Sequence, residues 1–288
     1  MNSVNTISRA LSLALLVSLS SVADTQAQAW PHAAGGGFYQ IGFQYIRASE
    51  FYEPDGHRID IPTLGDYLLS FYVEHGITDR LTATAYIPFV ERVTLNRVVG
   101  EDTGFEFFSG DAVVGPADWE IGARYGILKK GGTVASVFMR LGIPIGNSDQ
   151  ENGLQTGDGE LNQIVGIAVG HSFWPKPAYI QADIGYNNRV KGYSDEIPFK
   201  LEAGYTLRNM WTLAVKIRGL MSTRNGVDER LGGTGGLYGN NQQFVSYGGE
   251  LSYVPKGQLG LSLRGEWAAM AENVLAAPVF GFSVFLKR

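Results

Sequence analysis

The chain has 288 residues, 44% hydrophobic, 12% aromatic and 18% charged, with a net charge of -5 at neutral pH. That acidic balance argues against nucleic acid as a partner, and the absence of cysteine excludes disulfides, thiolate metal sites and a lipid-bearing N-terminal Cys. The 38 glycines and the many aromatics suit strands and turns, and no apolar run after residue 29 reaches the length of a spanning helix.

Residues 1–29 read as an address. Met1 to Arg9 ends in a positive charge, Ala10 to Val22 is apolar and Ser-rich, and Ala27-Gln28-Ala29 has the small-x-small form of a cleavage site. The apolar stretch is too short for the ~20 residues that cross a bilayer as a helix. The reading is a signal peptide over 1–29, cleaved after Ala29, and one domain over 30–288. Losing Arg9 and Asp24 leaves 22 basic and 27 acidic residues, so the net charge stays at -5.

From residue 36 onward the apolar period is two. Alternating segments follow at about 36–50, 64–75, 80–99, 117–129, 133–145, 160–173, 178–191, 195–207, 210–223, 243–254, 258–271 and 278–287. In Trp211 to Gly219, for example, Trp211, Leu213, Val215 and Ile217 alternate with Thr212, Ala214, Lys216 and Arg218. Tight turns at Gly76-Ile77-Thr78-Asp79, Lys130-Gly131-Gly132, Trp174-Pro175-Lys176-Pro177, Arg208-Asn209 and Pro255-Lys256-Gly257 alternate with longer polar connections. The long connections fall near 51–63, 100–116, 146–159, 224–242 and 272–277, with a shorter one near 192–194.

Twelve strands joined alternately by short turns and long loops predict an all-β fold, a transmembrane antiparallel up-and-down β-barrel with both ends on the periplasmic side. Closure follows from the solvent, because an open edge in hydrocarbon leaves backbone groups unpaired. A soluble sandwich or lipocalin-like barrel shares the period but hides its apolar face inside. Here one face carries Leu, Ile and Val edged by Trp119, Trp174, Trp211 and Trp267, like the aromatic girdles of membrane interfaces. The opposite face carries Glu120, Arg124, Arg140, Asp183, Lys200, Glu202, Lys216, Arg218, Glu250, Arg264 and Glu266, which are therefore candidates to line the lumen. Such charges either pair and fill the interior or line a wet path that selects solutes by charge. On the second reading Lys216→Leu spares folding and alters conductance, whereas Leu213→Arg impairs folding.

No motif carries catalytic chemistry. No Gly-Lys pair exists for a phosphate loop, and Gly232-Gly233-Thr234-Gly235-Gly236-Leu237-Tyr238-Gly239 misses the dinucleotide spacing. Neither frame of Asn147 to Gly159 fits the calcium hand, which leaves only a looser arrangement of Asp149, Glu151, Asp158 and Glu160. Asp149, Glu151 and Asp158 are placed instead at the mouth of the passage. His171-Ser172 is adjacent in a strand, so the two side chains point to opposite faces and share no proton.

Several motifs in sequence resemble one family. They are Gly76-Ile77-Thr78-Asp79-Arg80-Leu81-Thr82, Ile87-Pro88-Phe89-Val90, Gly115-Pro116-Ala117-Asp118-Trp119-Glu120-Ile121-Gly122-Ala123-Arg124-Tyr125, Gly142-Ile143-Pro144-Ile145-Gly146 and Leu154-Gln155-Thr156-Gly157-Asp158-Gly159-Glu160. In that order they resemble the family labelled "MetA-pathway of phenol degradation", Gram-negative outer-membrane proteins usually called transporters. The chain departs from it at Pro116-Ala117-Asp118, where the family commonly has Gly-Asp. The resemblance implies uptake of aromatic or other small organic compounds and transfers no catalytic or ligand residue.

The expectation is a monomeric barrel in the lipid bilayer and lipopolysaccharide of a Gram-negative outer membrane. It passes small organic solutes through its lumen, without cofactor, metal or enzymatic activity. No plug domain or coupling-box segment precedes the first strand, which disfavours energy-coupled uptake. The alternatives are a structural or adhesin-like barrel with a plugged lumen and an outer-membrane lipid-modifying enzyme.

Overall fold

The computed structural model describes residues 29–100, 102–227, 231–255 and 257–288. All of the expected leader except Ala29 lies outside the described residues. Twelve long strands form the wall: β1 (Gly37–Tyr52), β2 (Arg58–Gly76), β3 (Leu81–Leu95), β4 (Trp119–Lys130), β5 (Thr133–Ile143), β6 (Asn162–Ser172), β7 (Ala178–Asn188), β8 (Glu196–Leu207), β9 (Trp211–Ser222), β10 (Gln243–Tyr253), β11 (Leu259–Glu272) and β12 (Val279–Lys287). Each pairs antiparallel with the next, and β1 pairs with both β2 and β12, from Phe38↔Lys287 to Ile46↔Val279. The sheet is therefore a closed, up-and-down transmembrane barrel with no open edge in its wall.

The alternation read from sequence is the alternation of the wall. Along β9, Leu213, Val215 and Ile217 are 53%, 58% and 43% exposed, while Lys216 and Arg218 are each 7% exposed. Ile121, Val137, Val165, Ile184 and Leu201 repeat the outward apolar pattern on neighbouring strands. A water-soluble barrel would turn these residues inward; here they face the lipid side. Aromatic pairs decorate the same surface, with Trp211 stacked on Tyr253 at 4.1 Å and Trp174 exposed in the β6–β7 turn.

Short connections gather at one end, at 77–80, 131–132, 173–177, 208–210 and 254–258. The tightest is the two-residue connection 131–132, and in the three-residue connection 208–210 Arg208 and Asn209 both have positive φ, 51° and 55°. Long connections gather at the other end, at 96–118, 144–161, 189–195, 223–242 and 273–278. Three expectations need correction. Within the expected loop at 100–116, Asp111–Gly115 forms a short strand that pairs antiparallel with β3, from Glu91↔Gly115 to Leu95↔Asp111. Instead of a loop at 51–63, β1 and β2 continue their ladder to Tyr52↔Arg58 and leave only 53–57 as the turn. The period of two persists through Arg58-Ile59-Asp60-Ile61, and an Arg58–Glu50 ion pair at 3.1 Å closes the hairpin. Glu160, expected to open β6, belongs to the preceding loop.

An apolar core occupies the long-loop end of the lumen. Ile46, Leu64, Val93, Leu220 and Phe244 project inward from the wall, and Leu154, Leu237 and Tyr238 reach them from two loops. Leu154 is fully buried. The 144–161 loop therefore folds into the barrel, and so does the 231–242 segment.

Candidate functional site: the lumen and its chamber

The short-turn end of the lumen is closed by hydrogen bonds to the segment that precedes β1. Ser136 Oγ donates to the Ala29 carbonyl at 2.7 Å, and Arg124 Nη1 donates to the Trp30 carbonyl at 2.9 Å. The His32 amide donates to Thr82 Oγ1 at 2.9 Å, and its Nε2 hydrogen-bonds Glu74 Oε2 at 2.8 Å. Glu74 is fully buried and also accepts from Arg124 at 3.0 and 3.2 Å and from Tyr72 Oη at 2.5 Å. The Trp30 ring meets Tyr179 edge-on, 6.0 Å between centroids, and lies over Gly170, where a Cβ would collide with it.

Above this segment the charges named from sequence form a belt. Arg140 pairs with Glu120 at 3.2 Å, Lys200 with Glu202 at 2.9 Å, and Arg218 with Glu266 at 3.0 Å. Lys216 bridges Glu250 at 2.7 Å and Glu202 at 3.7 Å. Arg264 hydrogen-bonds Gln44, and Asp183 stands opposite Lys200 in the ladder, in electrostatic reach of Arg140 and Arg124. All eleven lie on inward positions, eight of them buried and Glu120, Asp183 and Arg264 partly so. The ion pairs fill much of the lumen. This reverses the expectation for Lys216→Leu, because its loss leaves Glu250 and Glu202 buried with a missing countercharge, a costly state in low dielectric.

The three loop acids do not act together. Asp149 and Glu151 are exposed, whereas Asp158 turns inward and pairs with Arg189 at 3.1 Å. Arg189 also grips Glu160 and, at 2.6 Å, Glu196. Asp118 holds the inward loop by its backbone, accepting from the amides of Gly146 at 2.8 Å and Asp158 at 2.9 Å. Burial first, and the Asp158 carboxylate second, push Asp118 up to about 7. Burial likewise raises Glu160 to about 7, with Arg189 opposing and Asp158 reinforcing the shift. The loose calcium arrangement is not assembled, and no group of three or more metal-ligating side chains occurs among the described residues. His171 hydrogen-bonds Thr133 at 2.8 Å through Nδ1, on the wall's short-turn end.

Between belt and cap lies a chamber with about 110 Å³ of free space, walled by Trp119, Glu120, Arg140, Asn187, Glu196 and Tyr238. It shares Gly239 with a wider cleft of about 480 Å³ among the long loops, beside Phe51, Ile59, Leu231 and Asn240. On its other side it shares Tyr86 with a small space of about 40 Å³ beside Gln40, Ser262 and Arg264. The chamber thus neighbours each of the other two spaces through one shared lining residue. Tyr238 lines the chamber, donating to Glu91 Oε2 at 2.6 Å, and its φ of +56° is a conformation that L side chains rarely adopt. Sequence reasoning missed Glu74, Glu91, Arg189, Glu196 and Tyr238. For Glu74 a signal existed, since it shares strand parity with the inward Leu68 and Tyr72.

Fold and lumen together define an outer-membrane type of twelve-stranded barrel with a partly filled interior. No family model matches the chain, and no curated protein matches it in sequence. Among solved structures it is similar to the COG4313 outer membrane channel from Pseudomonas putida F1, with a TM-score of 0.72 at 14% identity, over 92% of this chain and 99% of that one. It is also similar to the NanC porin, with a TM-score of 0.54 at 9% identity, over 87% of this chain and all of the other. At these identities the likeness is one of fold.

Proposed function

We propose that the protein is an outer-membrane channel that admits small organic solutes from the long-loop end and passes them through the lumen. The observation that carries this reading is a closed wall with an apolar outside that holds a chamber and a smaller space, the chamber adjoining a wide cleft among the long loops. A purely structural barrel has no use for such spaces. The similar barrels described as a channel and a porin support the same reading, and the family resemblance of the 76–160 motifs directs it toward aromatic or other small organic compounds. In this reading a signal peptide cleaved after Ala29 exports a monomer to the Gram-negative outer membrane, where lipid and lipopolysaccharide cover the apolar belt. Neither nucleic acid nor enzymatic turnover has a part in it.

The experiment is solute-dependent liposome swelling, together with single-channel recording on folded, heat-modifiable protein. Ion current and swelling are expected. A folded protein that gives neither sinks the channel and favours a plugged structural barrel, a reading supported by the buried ion-pair belt and by the Trp30–His32 segment held on Arg124, Thr82 and Glu74. Release of fatty acid from phospholipid by the purified protein would favour the lipid-modifying enzyme.

A further inference from the structure

At its long-loop end the outside of the wall departs from its apolar pattern on β1 and β3. Arg47 and Arg92 are exposed, and each is flanked by buried, inward neighbours: Ile46 and Ala48 for Arg47, Glu91 and Val93 for Arg92. Strand parity therefore turns both arginines to the lipid side. On β5 to β10 the outward positions of the same end are uncharged, as at Met139, Val165, Tyr186, Met221 and Tyr247. Among the described residues neither arginine has an ion pair or a side-chain hydrogen bond, whereas Arg58, further out, is taken by Glu50 at 3.1 Å.

The ladder brings the two arginines to one place. Arg47 faces Gly65 of β2, Gly65 faces Thr94 of β3, and Arg92 faces Tyr67 two residues along. With strands about 4.8 Å apart and about 3.4 Å per residue, their Cα atoms stand roughly 12 Å apart, within the combined reach of two arginine side chains. Tyr67 fills the ground between them. Its ring lies over Gly65, where a Cβ would come to 2.9 Å from Cε2, 3.1 Å from the hydroxyl and 2.8 Å from Thr94 Oγ1. Glycine at 65 thus leaves room for two hydroxyls on the wall between two unpaired guanidinium groups. Next toward mid-membrane come Phe43, Leu69 and Val90, exposed neighbours in the same ladder.

Donors above an apolar surface state the chemistry of what covers them. The guanidinium fork matches phosphate oxygens and binds them through charged hydrogen bonds. A single interfacial arginine needs only water; two of them around a tyrosine hydroxyl are a set of donors without an acceptor. A water-soluble anion would gain nothing from Phe43, Leu69 and Val90, while a phosphorylated lipid uses both parts, its anion at the interface and its chains beneath. Long loops mark the outer face of such a barrel, and the phosphates of that leaflet are carried on the acylated sugar of lipopolysaccharide.

We propose that Arg47, Arg92 and Tyr67 form a docking site on the outside of the barrel for a phosphate of lipopolysaccharide, whose acyl chains lie on Phe43, Leu69 and Val90. This rests on the outer-membrane reading and goes beyond it, from a belt that any lipid covers to one lipid recognised by named residues.

The test is lipid retention by the full-length folded protein in detergent, read by native mass spectrometry with three probes: bisphosphorylated lipid A, the same lipid with its phosphates removed, and phosphatidylglycerol. Lipid A is expected to bind at least about tenfold more tightly than either of the others. Arg47→Gln and Arg92→Gln are each expected to weaken it several-fold with heat-modifiability unchanged, since both side chains are exposed and unpaired. Tyr67→Phe is expected to cost less, and Arg58→Gln nothing. Equal retention of phosphatidylglycerol or of the dephosphorylated lipid overturns the proposal. So does lipid A retention that Arg47→Gln and Arg92→Gln leave unchanged, or that Arg58→Gln lowers as much as they do. Density-gradient separation of membranes from the expressing cells distinguishes the two readings. Protein absent from the outer-membrane fraction sinks both, and protein present there whose lipid A retention ignores Arg47 and Arg92 keeps the outer-membrane reading and sinks the site.

Discussion

The two ends of the lumen are closed by opposite kinds of chemistry. At the long-loop end Leu154, Leu237 and the Tyr238 ring pack on Ile46, Val93, Leu220 and Phe244, contacts that have no direction and lose little when they slide. At the short-turn end Glu74, Arg124 and His32 hold the chain through charged hydrogen bonds at 2.8 to 3.2 Å, which lose nearly everything if a partner moves away. An apolar cap over a solute path can open by displacement, one side chain replaced by another apolar surface. A polar closure of this kind opens only if its charges find new partners. The long-loop end therefore suits the entry of organic solutes, and the short-turn end sets the resistance to passage.

The strongest break of that contrast is Glu74→Ala, which leaves Arg124 buried with its main countercharge gone. The expected loss is roughly 3–5 kcal/mol, seen as a lower midpoint of heat-modifiability and as higher single-channel conductance. On the outer wall, Leu213→Arg puts a charge into lipid and is expected to cost about 2–4 kcal/mol near mid-membrane; normal insertion into bilayers would mean that inside and outside are reversed. In the cap, Leu154→Ala is expected to cost about 2–3 kcal/mol, confined to the 144–161 loop. Limited proteolysis should cut that loop faster while the barrel melts unchanged.

Smaller still is Tyr238→Phe. It removes the donor to Glu91 and keeps the ring, and a loss of about 1–2 kcal/mol should appear as faster amide exchange at 231–242 alone. A further effect is one of pH. Asp118 and Glu160 ionise near 7 in the folded loop, against ordinary values of 3.8 and 4.5. Groups raised in the folded state favour folding below their ordinary values and lose that contribution as pH rises toward the folded one. The 144–161 loop should therefore be better protected from protease at pH 5 than at pH 8, with the change falling between about 4 and 7. Equal protection at both pH values would remove these two carboxyls from the cap's stability.

The strand pattern was legible because parity is local. Lys216 and Arg218 alternate with Val215 and Ile217 in any antiparallel wall, and Arg208-Asn209 asks for a tight turn whatever surrounds it. From this alone the chain settled its closed barrel, its apolar outside and its charged inside. It could not show which charges meet. Glu74 and Arg124 stand 50 positions apart, and Tyr238 meets Glu91 across 147. Loop residues such as Leu154 and Arg189 carry no period to reveal that they turn inward.

Those contacts exist only once closure of β1 on β12 has brought the walls face to face and confined the loops between them. Sequence by itself determined the solvent on each side of the wall, since two residues per repeat sort polar from apolar without reference to distant partners. Tertiary structure alone decided what stands in the lumen. Filling a closed space is a matter of which side chains reach its centre, and that depends on barrel diameter, strand stagger and loop path together.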